Sequence, residues 1–229
     1  MHLSRDSTDI PVRERGPKKK ATERLAGGPS KKKGQGKCEL QVKSGLDWRS
    51  LIKAIPTVCD SGSKVSSRGS RLYWRGYKLH VDVDDSGFPI ACALSSASTN
   101  DSILGIPLSM KSSDRVRVYY ELMDKGYYVT AITGFIEREG RVPIIAQCPK
   151  NKKTKEDLKQ EELAMKTLNW TPAEKVRFRF RTSVERFFSQ LKDNFACRQI
   201  RFRGHAKVYC HLMFSVIALA ADQLVRLLS

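Results

Sequence analysis

The stretch from Phe178 to Lys192 constrains the fold more than any other part of the chain. It holds no Gly or Pro, and apolar residues recur at Val184, Phe187, Phe188, Leu191 and Phe195. That is the i, i+3, i+4, i+7 spacing of an amphipathic helix. At about 100° per residue these five fall in one arc roughly 100° wide. Phe178, Arg181, Glu185 and Lys192 fall in a second arc beside it, roughly 60° wide. One carboxylate is therefore held between two cations, on a helix whose neighbouring face is packed. A site that must present a charge rigidly is built this way. Taken out of context, Arg181 and Glu185 are a surface i, i+4 pair worth only a few tenths of a kcal/mol.

The partner of such a helix is read from charge. The chain has 229 residues with a formal net charge of +18, an excess that points to a polyanion. Aromatic and basic residues are interleaved in Tyr73-Trp-Arg75 and Phe178-Arg-Phe-Arg181, which favours nucleic acid over an acidic membrane surface. The first six residues are not a signal peptide, because no apolar core follows them. His211 to Leu228 is apolar but carries Asp222 and Arg226, and it reads as a buried helix rather than a membrane span. The six cysteines are scattered without zinc spacing. Free thiols fit a reducing cytoplasm.

Along the chain, residues 1–12 read as a short strand ending at Asp6-Ser-Thr8. Residues 13–37 are rich in Lys, Arg, Gly and Pro, with the runs Lys18-Lys19-Lys20 and Lys31-Lys32-Lys33. They lack core-forming residues and are expected to be disordered when free. Leu46 to Ile55 reads as a helix, and Cys59 to Arg71 as a loop. Residues 13–70 together form a basic, partly disordered insertion in a single domain spanning 1–229. In Tyr77 to Val83, apolar residues alternate with Lys78, His80 and Asp82, a half-buried strand. Asp84 to Gly87 turns it, and Ile90 to Leu94 returns. Asn100 or Asp101 caps a helix that Pro107 limits or kinks. Val116 to Met123 is a buried strand with Asp124 at its tip. A helix from Thr130 to Glu139 and a strand from Val142 to Ala146 follow. Asn151 to Leu168 reads as a polar helix or insertion. The result is a mixed α/β layer architecture with a five-stranded sheet, helices around it and an insertion after the first strand.

The spacing Phe178-(2)-Arg181-(3)-Glu185-(6)-Lys192 resembles the Y-(2)-R-(3)-E-(6)-K signature of DDE transposases from bacterial insertion sequences. Asp6-Ser-Thr8 resembles that family's first acidic block, and Leu122-Met-Asp124-Lys-Gly-Tyr127 its second. The hairpin from Gly76 to Ile90 and the tail from Arg201 to Met213 resemble its β2–β3 and C-terminal regions. The element order is also that of its RNase H-like fold. Two residues depart from the pattern: Phe178 lacks the hydroxyl of the family Tyr, and Tyr128 stands where an Asp often follows Gly-Tyr. Only five residues precede Asp6, so the chain looks like a catalytic half without the family's N-terminal DNA-binding region.

The resemblance implies metal-dependent cleavage and strand transfer of double-stranded DNA at element ends and target. Asp6, Asp124 and Glu185 would be the catalytic acids and the ligands of Mg²⁺ or Mn²⁺, two ions in all. Arg181 and Lys192 would contact DNA phosphate. Lys18, Lys19, Lys20, Lys31, Lys32 and Lys33 would add sequence-independent affinity. Synapsis of two ends implies a homodimer, acting on the nucleoid in the cytoplasm with no membrane involved. Asp60 is a rival first acid. Asp82, Asp84 and Asp85 are expected on the exposed face of the hairpin. The alternative is a truncated, non-catalytic remnant that binds DNA or a full-length transposase.

Overall fold

The computed structural model describes residues 1–14, 32–65, 69–146 and 170–228. The middle of its sheet is strand β1, His2–Pro11. Two helices and a strand follow: α1 (Lys32–Ser44), α2 (Trp48–Lys53) and β2 (Asp60–Val65). Next come β3 (Arg71–Val83), β4 (Pro89–Ser96), α3 (Gly105–Ser113), β5 (Tyr120–Met123), α4 (Thr130–Arg138) and β6 (Val142–Ile145). The chain ends with α5 (Pro172–Phe178), α6 (Thr182–Asn194) and α7 (His205–Leu228).

β1 pairs antiparallel with β3, from Ser4↔Val83 to Pro11↔Gly76. On its other edge it pairs parallel with β5, from His2↔Tyr120 to Arg5↔Met123, and β5 pairs parallel with β6. The far edge of the long β3 is shared. β4 covers Tyr77 to Val83, and β2 covers Arg71 to Gly76. This is a mixed α/β sheet flanked by helices, of the RNase H-like kind, with six strands rather than five.

The additional strand is β2, in a segment whose Ser/Gly composition reads as a loop. Its side chains are largely exposed, so no apolar alternation marks it. Packing accounts for Gly62: a Cβ there would lie 2.4 Å from the Trp74 ring, which covers it from β3. Helix α1 likewise begins at Lys32, inside the stretch expected to be disordered. Lys18, Lys19, Lys20 and Lys31 lie outside the described residues, and so does Asn151 to Leu168. β1 also runs past Asp6-Ser-Thr8, which places Asp6 in mid-strand.

Both faces of the sheet are covered. Leu79, Val81 and Val83 pack under Val184, Phe187 and Leu191 of α6 and Val208, Leu212 and Leu219 of α7. The apolar arc of the signature helix is thus a core face. α7 is buried on that side only; Phe214, Ile217 and Val225 are exposed on the other, which corrects the expectation of a buried helix. On the opposite face lie α1, α3 and α4, with Ile106, Met123, Ile132 and Ile136 at their contact. Pro107 is the third residue of α3 and does not break it, because a first-turn N–H has no helical acceptor to lose.

That second face also holds buried charge. Asp82 is fully buried, not exposed as its place in the alternation predicts. It accepts two hydrogen bonds from Arg5 and one from Ser112 at 2.6 Å. Arg5 reaches Glu121 at 3.2 Å as well, and Glu121 accepts from Ser109 and pairs with Arg141. A strand whose polar alternates find such partners can be covered on both sides.

Candidate active site

Asp6 and Asp124 meet through strand register. Arg5↔Met123 is the last pair of the parallel β1–β5 ladder, so the next residue on each strand is one of these acids. Strand alternation turns Asp6 away from its neighbour Arg5. Asp6 is opposite Val81, on the face that α6 covers. Asp124 follows β5 directly and opens the 3₁₀ turn Lys125–Tyr127, yet its side chain makes no capping bond. A purely capping role for this carboxylate is therefore not what the turn uses.

The third acid comes from the helix. Thr171 and Glu174 form a capping box at the start of α5, with Pro172 at its first position. A 3₁₀ turn, Arg179–Arg181, then leads into α6. The stretch read as one helix from Phe178 is therefore the end of α5, the turn Arg179–Arg181 and α6. Arg181 donates to Glu185 Oε1 at 2.5 Å through Nη2 and reaches Asp6 Oδ2 at 3.4 Å through Nη1. Its guanidinium also lies 5.7 Å from the Phe178 ring centroid, and Phe178 packs on Trp170 at 4.7 Å. The residue at the signature's Tyr position thus supports Arg181 by its ring.

The electrostatics follow from this placement. Burial pushes the Asp6 carboxyl up to about 6, with Asp124 and Asp101 adding to the rise. The backbone N–H of Ser7, at 2.7 Å, and Arg181 oppose it. Burial and the neighbouring acids thus favour the neutral form of the Asp6 carboxyl. Lys192 does not join them: it pairs with Asp9 Oδ1 at 3.3 Å. Asp60, the rival first acid, is bound to the N–H and hydroxyl of Ser98.

Two further acids have no place in the signature. Asp9 pairs with Lys64 as well as Lys192. Asp101 is held by Lys78 at 2.9 Å and acts on the Asp6 charge. Asp9 was legible only as the acid after Asp6-Ser-Thr8. Asp101 was legible only as a cap, whereas the capping side chain is that of Asn100.

The donors are carboxylate oxygens, the ligand type that hard divalent cations take. Among the described residues, no three of His, Cys, Asp and Glu stand at metal-holding spacing. Here the Arg181 guanidinium lies between Asp6 and Glu185 and supplies the positive charge.

No curated protein and no solved structure matches the chain. A family model described as the transposase DDE domain matches residues 2–221. That match takes in β1, β5 and α6, and the chain belongs to the transposase DDE domain family.

Proposed function

We propose that the chain cleaves DNA strands at the ends of an insertion sequence and joins them to target DNA, with Asp6, Asp124 and Glu185 as its catalytic acids. One observation carries this reading: Asp6 and Asp124 lie side by side at the β1–β5 register, and Arg181 ties Glu185 to Asp6. The three acids would hold Mg²⁺ or Mn²⁺, which would supply activation of the attacking hydroxyl and stabilisation of the leaving oxygen. Asp6 and Asp124 are set by strand register and do not need to fold into place. Glu185 is 51% exposed, so its carboxylate can turn towards them once Arg181 releases it. Arg181 would then be free to take a DNA phosphate. The resemblance supports a dimer at synapsis, a nucleoid location in the cytoplasm and a DNA role for the basic runs.

A second reading has its own support. The described acids do not converge as three, since Arg181 separates two of them. A remnant that binds DNA without cutting it would tolerate that arrangement. Incubating the purified chain with Mn²⁺ and DNA bearing element ends, beside Glu185→Gln, separates the two. The enzyme nicks the DNA and the variant does not. Binding by both proteins without nicking would favour the remnant.

A further inference from the structure

Three residues past Asp6 on β1, one carboxylate gathers two lysines from distant parts of the chain. Lys192 of α6 reaches Asp9 Oδ1 at 3.3 Å, and Lys64 of β2 donates to the same oxygen. The Asp9 and Lys192 side chains are 18% and 19% exposed, whereas Lys64 is 51% exposed. Burial pushes the Lys192 ammonium below its usual range, and Asp9 opposes that shift.

Two ammonium groups on one carboxylate leave one positive charge uncompensated. This matches the single negative charge of a phosphodiester, whose non-bridging oxygens can each accept from one lysine. The position also suits DNA. Lys192 lines a cleft of about 630 Å³ with Asp193, Arg198, Arg201, Phe202 and His211; Asp193 pairs with Arg198, and Arg201 carries positive charge beyond Lys192. Lys64 arrives on β2, which among the described residues pairs only with β3, at the sheet margin.

We propose that Lys64 joins Lys192, whose phosphate contact the family resemblance already implies, in clamping one backbone phosphate of duplex DNA, and that Asp9 is the positioning residue that holds both lysines. This inference rests on the DNA-acting reading above. It gives β2 a function: the strand delivers Lys64. It also predicts a sign that charge alone would not. By Coulomb's law, removing Asp9 makes the region more positive and should tighten DNA binding. If Asp9 positions the lysines, its removal frees two flexible side chains and weakens binding instead.

The test is fluorescence anisotropy of the full chain on a labelled random-sequence duplex, with EDTA, across a sodium chloride series. Lys64→Ala should weaken binding about fivefold and flatten the log–log salt slope by about one. Asp9→Asn should weaken binding about threefold despite its added positive charge. Melting followed by circular dichroism should show cooperative unfolding for both. If Asp9→Asn fails to fold, Lys64→Ala carries the test, since its side chain is mostly in solvent. An unchanged affinity and slope for Lys64→Ala, or tighter binding by Asp9→Asn, would overturn the clamp while leaving the enzyme reading standing. A wild-type chain that binds no duplex would overturn the DNA-acting reading, and the clamp with it.

Discussion

Arg5 meets Asp82 through two hydrogen bonds, Nε to Oδ1 at 2.6 Å and Nη2 to Oδ2 at 2.7 Å, one residue before Asp6 on β1. The pair is fixed in the core below the site, so Asp6 is held from beneath while its own side chain faces α6. Asp82→Ala would leave the Arg5 guanidinium buried with Glu121 as its remaining acidic partner. We expect a loss of about 3–5 kcal/mol in urea unfolding, the range for breaking a buried ion pair. Asp85→Ala, which removes only the exposed pair with His2 at the hairpin turn, should cost about 1 kcal/mol or less.

Arg181 makes a different prediction, about metal. It is bound to two of the three carboxylates that a divalent ion would need. Arg181→Gln removes that competing cation. Mn²⁺ binding, followed by loss of the free-ion electron paramagnetic resonance signal, should tighten about fivefold, which corresponds to about 1 kcal/mol. If Arg181 takes a DNA phosphate as proposed, nicking should nonetheless fall with loss of the guanidinium. Weaker Mn²⁺ binding by the variant would mean that Arg181 organises the acids rather than competing for them.

What the sequence disclosed follows from what leaves a local trace. The amphipathic arc of α6 and the β3–β4 turn are local patterns, and both are present in the fold. Asp82 was misplaced because alternation distinguishes two faces but not whether both are covered. β2 was missed because its pairing with β3 rests on backbone hydrogen bonds and on Gly62 beneath Trp74, neither of which is a hydrophobic period. Asp9, Lys64 and Lys192 are far apart in sequence, and only the sheet brings them together.

Gly76 shows how β1 is seated. It pairs with both Pro11 and Asp60, at φ +148°. A Cβ there would lie 2.1 Å from the Ile10 carbonyl oxygen. Gly76→Ala should therefore cost about 2 kcal/mol or more through strain and the displaced end of β1. Gly134 lies in α4 with open space around it. Gly134→Ala should stabilise by up to about 1 kcal/mol. Chemical denaturation of both variants checks the opposite signs.

Asp6 and His80 titrate in the same pH range with opposite effects on stability. Burial first, with Asp124 and Asp101, raises the Asp6 carboxyl from 3.8 to about 6. Between those values the folded chain holds a proton that the unfolded chain has lost. The Asp6 contribution is therefore fully present below about 3.8 and is lost as pH rises through about 6. His80 is fully buried between Ser95 at 2.9 Å and the Tyr127 hydroxyl, and burial lowers it from 6.5 to about 4. Its contribution is present above about 6.5 and is lost as pH falls through about 4. The His80 effect reaches about 3 kcal/mol, and the Asp6 effect is smaller because its carboxylate is still partly open to solvent. In EDTA, urea unfolding of the wild type should thus vary little between about pH 4 and pH 6. Asp6→Asn removes one of the opposing slopes, so its stability should fall steeply over that range as pH drops. His80→Gln removes the other and should become more stable as pH drops. Parallel pH profiles for the three proteins would mean that neither group carries the proton linkage its surroundings imply.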